Sequence, residues 1–189
     1  MITYILAEGS FNAQLIKTVL PANLLTDVGV VSANGVSAVE SLARSLVVRR
    51  RVPVVIVFDA DSVVAELVEQ RRKDIEEIVE IVSINTPVKV VPAVPQIEII
   101  FFQDVSLLSH LLGFTPSKDI LDLAVSQPRE ALEQLISESE LIQNSSQIIE
   151  QLTNEDIEIL RSSSVMQEII QCLESVRETV AATLSYSSQ

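Results

Sequence analysis

Residues 52–58, VPVVIVF, place five Val or Ile in seven positions. A stretch that is apolar at every position, rather than at alternate ones, makes a strand only when both of its faces are covered. Three other runs are β-rich: ITYILA (2–7), VGVVSA (28–33) and PVKVVPAV (87–94). The prolines of the last put it near a sheet edge, since proline cannot donate to a ladder. Helical spacing fills the intervals. FNAQLIKTVLP follows Ser10, a residue able to cap it, and stops at Pro21. NGVSAVESLARSLVVRR carries Leu42 and Leu46 four apart, and a Glu- and Arg-rich helix runs from about Ser62 to Ile81. This alternation predicts an α/β fold: an open, mostly parallel sheet of about four strands flanked by helices. The core must be built from Val, Ile, Leu and Ala, because aromatics are 4% of the 189 residues and Trp is absent.

Beyond residue 97 the strand signal ends. IEIIFFQDVSLLSHLLGF reads as helix with Gly113 as its stop, and two long amphipathic stretches follow. Thr153 and Asp156 have capping-box spacing. The chain therefore divides into an α/β domain over 1–100 and an α-helical extension over 101–189.

A net charge of −13 removes long-range attraction for nucleic acid, so a nucleic-acid enzyme of this composition needs divalent cations or a local basic strip. Cys172 is the single cysteine and reads as a small apolar helix residue, with no disulfide framework and no zinc site. The N-terminus lacks a basic leader segment, and no run reaches the about 18 apolar residues that span a bilayer. The expectation is a soluble, cytoplasmic protein with no membrane partner.

Right-handed crossovers align the carboxyl ends of parallel strands along one rim, where open α/β sheets bind ligands. The first strand ends in Glu8-Gly9 and the third in Asp59-Ala60-Asp61. In an extended backbone residues i and i+2 project to one side, so Asp59 and Asp61 are expected to share a cation. Mg²⁺ takes oxygen ligands and keeps waters, which leaves room for a substrate phosphate. Phosphatases of the haloacid-dehalogenase type also use an Asp-x-Asp pair, but on the first strand and followed by glycine, which DADSVV lacks. A receiver domain needs paired acids at the first strand, where only Glu8 stands.

Three segments in order, LAEGSFNAQLIKTVL, VSANGVSAVESLARSL and VPVVIVFDADS, resemble the Toprim domain of topoisomerases, primases and overcoming-lysogenization-defect-type nucleases. That family has an acid-glycine pair after the first strand, a glycine turn after the second and an Asp-x-Asp pair after the third. Here Glu8-Gly9, Gly35 and Asp59-x-Asp61 occupy those places. The resemblance covers residues 2–100. It implies Mg²⁺ (or Mn²⁺) held by Asp59 and Asp61, with Glu8 as a further ligand or as general acid/base and Asp59 as a catalytic carboxylate. It also implies close approach of backbone and phosphate at Gly9 and Gly35. The nuclease branch carries further acids downstream, for which Glu98 is the candidate against a solvated position. Tyr4 lies in a strand and Tyr186 in the tail, so no topoisomerase nucleophile stands out, and the zinc module of primases is missing.

Two readings remain. One is a Mg²⁺-dependent Toprim-type nuclease acting on DNA or RNA. The other is a non-catalytic Toprim-like module binding a nucleotide, nucleic acid or protein partner, with the C-terminal helices serving a homo-oligomer or partner surface. The basic clusters VVRRR (47–51) and QRRK (70–73) read as solvated helix ends, and His110, between leucines, as a packed helical residue.

Overall fold

The computed structural model of the protein describes residues 3–186. Its sheet has four strands: β1 (Thr3–Glu8), β2 (Val28–Ala33), β3 (Val54–Asp59) and β4 (Val88–Ala93). All pair in parallel in the order β2-β1-β3-β4, with Ile5 opposite both Val30 and Val55, and Ile56 opposite Val90. This is the Toprim-like α/β fold expected from the strand and helix alternation. β3, the all-apolar run, is buried at each of its six positions, as a central strand covered on both faces must be. The proline-bearing β4 is an edge strand.

The path of the chain decides which helices cover which face. From β1 it crosses through α1 (Ser10–Val19) and the short α2 (Ala22–Leu25) to β2, then returns past β1 through α3 (Val36–Ser45) to β3. Because the direction of travel reverses, right-handed crossovers put α1 and α3 on opposite faces. Leu6, Ile56 and Phe58 pack with Val39 and Ala43 of α3, and with Val68, Ile75 and Val79 of α4 (Ala65–Glu80). Ile5, Ala7, Val55 and Val57 pack on the other side with Leu15, Ile16 and Val19 of α1. Burying Phe58 or Ile16 completely is worth about 1.5–3 kcal/mol each.

α1 does not cover its face alone, and the C-terminal segment packs beside it. A 3₁₀ segment (Ile97–Gln103) leads into α5 (Val105–Leu112), α6 (Lys118–Ala124), α7 (Pro128–Glu138), α8 (Ser145–Glu150), α9 (Asn154–Arg161) and α10 (Ser164–Tyr186). Phe101, Leu108, Leu135, Ile149, Leu160 and Ile169 join the α1 side of the core without a break, so one apolar cluster draws on residues from both sides of position 100. Gly113, at φ 83°, ends α5, and the Thr153–Asp156 capping box starts α9. His110 is exposed rather than packed. The buried stripe of α5 is Leu107, Leu108, Leu111 and Leu112, and position 110 lies off it. Cys172 is half-buried against the core, and burial pushes its thiol up. Among the described residues no helix is long and apolar enough to cross a membrane.

Candidate functional site

The reversal in strand order falls between β1 and β3, so the crevice of the fold opens where Glu8 and Asp59 end adjacent strands. Two glycines shape that rim. Gly9 (φ 88°, ψ 157°) and Gly35 (φ 82°, ψ 157°) turn the chain from β1 into α1 and from β2 into α3 with the same backbone conformation, one open essentially to glycine alone. Both occupy the N-cap position, and neither helix receives a side-chain cap. Ser10, expected as the cap of α1, is instead its first helical residue, because Gly9 has already made the turn. A Cβ on either glycine would meet nothing within 4 Å, so φ rather than crowding demands glycine there.

Asp59 is 2% exposed, and its carboxylate is fully engaged. Oδ1 accepts from the Ile97 backbone N–H at 3.0 Å, while Oδ2 accepts from Asn12 Nδ2 at 3.1 Å and from Arg129 at 2.5 Å. The same guanidinium donates through Nε to Glu98 Oε1 at 2.8 Å. Glu98, 4% exposed, is thus no solvated position but the second acid of a buried pair bridged by arginine. Burial raises the Glu98 carboxyl above the ordinary range, and the charge of Asp59 adds to this while Arg129 opposes it. Burial also works against the Arg129 charge. Glu98 and Asp59 outweigh that cost and hold the guanidinium protonated.

Asp61 goes elsewhere. β3 ends at Asp59, and Asp61 takes a left-handed φ of 51°, so strand alternation stops before it can aim both carboxylates to one side. Its exposed carboxylate accepts from Gln96 Nε2 at 2.9 Å and lies 3.6 Å from Arg71. Arg71 belongs to α4, donates to the Ala60 carbonyl and stacks 5.4 Å from the Phe58 ring. The partners of Asp59 come from the α1 side of the sheet, whereas Arg71 comes from the α3–α4 side. The charges of both acids and of Arg71 act on Glu8. Burial raises its carboxyl first, then the charges of Asp59 and Asp61, against the Asp59 backbone amide and Arg71.

Glu8, Gly9, Asn34, Gly35, Glu98 and Arg129 line one open cavity of about 370 Å³. Two carboxylate oxygens at this cavity, Glu8 Oε2 and Glu98 Oε2, are buried with no hydrogen-bond partner. A buried carboxylate oxygen without a partner is costly, and native proteins rarely tolerate one without a purpose. As donors, the pair suits a hard oxygen-seeking divalent cation. Among the described residues no three His, Cys, Asp or Glu are already grouped so as to hold a metal ion. A larger cavity, about 740 Å³, lies at the start of β4 against α10, lined by Asn85, Thr86 and Lys89 among others; it holds none of the rim acids.

Of the basic clusters, only Arg71 reaches the rim. Arg49, Arg50 and Arg51 follow α3 at the edge where strands begin, with Arg50 donating to the Tyr4 hydroxyl. Sequence reasoning missed Asn12, Gln96 and Arg129. Asn12 had a signal: it sits at i, i+3, i+4, i+7 spacing with Leu15, Ile16 and Val19, a polar residue on the buried stripe of α1. Arg129, 70 residues from Asp59, had none.

No protein-family model and no curated protein matches the chain. Solved structures do. The chain is similar over 94% of its length to the C-terminal region of the Burkholderia pseudomallei OLD protein, at 18% identity and a TM-score of 0.56, covering 98% of that structure. It is similar over 97% of its length to the C-terminal region of the Xanthomonas campestris pv. campestris OLD protein, at 16% identity and a TM-score of 0.53, covering 97% of that structure. From β1 through α10, this chain therefore has the fold of the C-terminal regions of OLD proteins.

Proposed function

We propose that the protein is a Mg²⁺- or Mn²⁺-dependent phosphodiesterase of the Toprim nuclease type, acting on DNA or RNA. One observation carries this reading: Glu8 and Glu98 line the strand-end cavity, and each keeps a buried carboxylate oxygen without a hydrogen-bond partner. The fold likeness to OLD C-terminal regions supports it. Glu8, Asp59 and Glu98 are the residues that would hold the cation, while Asp61, turned toward Gln96 and Arg71, stands outside the set. When bound, it would neutralise the phosphodiester and the charge on attacking and leaving oxygens. The chain supplies the rest. The uncapped N–H groups after Gly9 and Gly35 face the crevice and suit an anionic phosphate. Glu8, with its raised carboxyl, is the group suited to accept and return a proton. Asn12 and the Ile97 N–H orient Asp59.

The arginine bridge favours a second reading, a non-catalytic module that binds a nucleotide, nucleic acid or protein partner with Asp59 and Glu98 permanently paired. Cleavage of single- and double-stranded DNA and of RNA, with Mg²⁺ or Mn²⁺ added and with chelator, separates the two. Metal-dependent cleavage that disappears in Asp59→Ala establishes the enzyme. Absence of both cleavage and divalent-ion binding leaves the module.

A further inference from the structure

We infer that Arg129 is a built-in counter-cation that a divalent ion must displace to enter the site. The inference rests on the metal-site reading above and adds to it a competitor within the chain. Arg129 Nε and its terminal nitrogen bond Glu98 Oε1 and Asp59 Oδ2, so one guanidinium already bridges two buried acids. Those are the two carboxylates that a shared cation would need. With Arg129 in place, both oxygens of Asp59 are committed, and the buried acid oxygens without a partner among the described residues are Glu8 Oε2 and Glu98 Oε2. The guanidinium charge bonded to Glu98 repels a divalent cation approaching these oxygens. Releasing the arginine frees Glu98 Oε1 and leaves Asp59 Oδ2 with Asn12 as its one side-chain donor, so both acids become available to a cation.

The arginine has somewhere to go. Its side chain is 43% exposed although the acids it bridges are 3% and 5% exposed. It lines cavities on both of its sides, and the second of these is also lined by Glu133. Glu133 is exposed and lies one turn further along α7, at the i+4 spacing at which side chains on a helix meet. The two positions of Arg129 are a bridge across Asp59 and Glu98 without the ion, and a surface pair on α7 with it.

A site closed by its own arginine for most of the time binds its ion more weakly by the fraction of time it is open. Calorimetric titration of the full chain with Mn²⁺, comparing wild type, Arg129→Gln and Arg129→Lys, tests this directly. Lysine keeps the charge but cannot bridge two acids with a planar fork. The expected result is about tenfold tighter Mn²⁺ binding in Arg129→Gln, with Arg129→Lys between it and wild type. Without metal, Arg129→Gln is expected to melt below wild type, and saturating Mn²⁺ is expected to raise its melting temperature by the larger increment. If Arg129→Gln does not fold, the Arg129→Lys titration decides. Wild-type binding that is matched or weakened in the variants overturns the displacement and leaves the metal site standing. No Mn²⁺ binding by wild type or variants overturns both.

Discussion

The two acids of FDADS stand two residues apart and live under different electrostatic rules. Asp59 is buried, with three donors on its carboxylate and an arginine it shares with Glu98. Asp61 has a side chain 52% exposed, and its arginine is 3.6 Å away and 37% exposed. Water and salt screen the second pair, so it contributes little, whereas stripping a partner from the first strands charges with no solvent to stabilise them. Sequence spacing made the acids look equivalent, but burial separates them. Gln96 joins the regions, donating to Asp61 and accepting from the Arg129 backbone N–H.

The largest expected effect is on activity. Asp59→Ala should lower metal-dependent cleavage by about 100-fold or more, the loss expected when a ligand of a charge-stabilising ion is removed. Steady-state rates at saturating Mn²⁺ measure it. Next comes stability: Arg129→Leu should cost the metal-free protein about 2–4 kcal/mol in urea unfolding, against less than about 1 kcal/mol for Arg71→Leu. Equal costs would erase the distinction between the two pairs. Gly9→Ala should destabilise by about 1–3 kcal/mol, because φ 88° with ψ 157° is strained for any residue with a Cβ. Thermal melts of Gly9→Ala beside Gly29→Ala separate this backbone cost from crowding, since a Cβ at Gly29 would instead press on the Tyr4 ring at 2.9 Å.

The smallest effect is in pH. Burial holds the folded Glu98 carboxyl above its ordinary value of 4.5. The unfolded chain therefore releases this proton first, and the contribution of the group to stability is complete below that value. It is lost as pH rises through the raised folded value. Glu98→Gln cannot ionise, so its stability relative to wild type should rise over that interval in metal-free denaturation curves. A flat difference would mean that Arg129 already satisfies the ionised form.

Much of the fold was legible in local chemistry. The six buried positions of β3, the edge placement of β4, the turn at Gly35 and the capping box at Thr153 all follow from signals within a few residues. Local signals misled where position relative to a buried stripe mattered. His110 sits among leucines yet off their face, and Ser10 follows a glycine that had already turned the chain.

By itself, the sequence determined that parallel strands would end in acids and glycines along a common rim. Apolar runs, glycine φ and crossover handedness are properties of short segments, and they act whatever the rest of the chain does. Only the tertiary structure decided that Asp61 would leave the strand, that Asn12 and Ile97 would hold Asp59, and that α7 would deliver Arg129 between Asp59 and Glu98. Ion pairing in a buried site depends on distance and desolvation. The chain between Asp59 and Arg129 carries no record of either until the C-terminal helices close over the face that α1 alone does not cover.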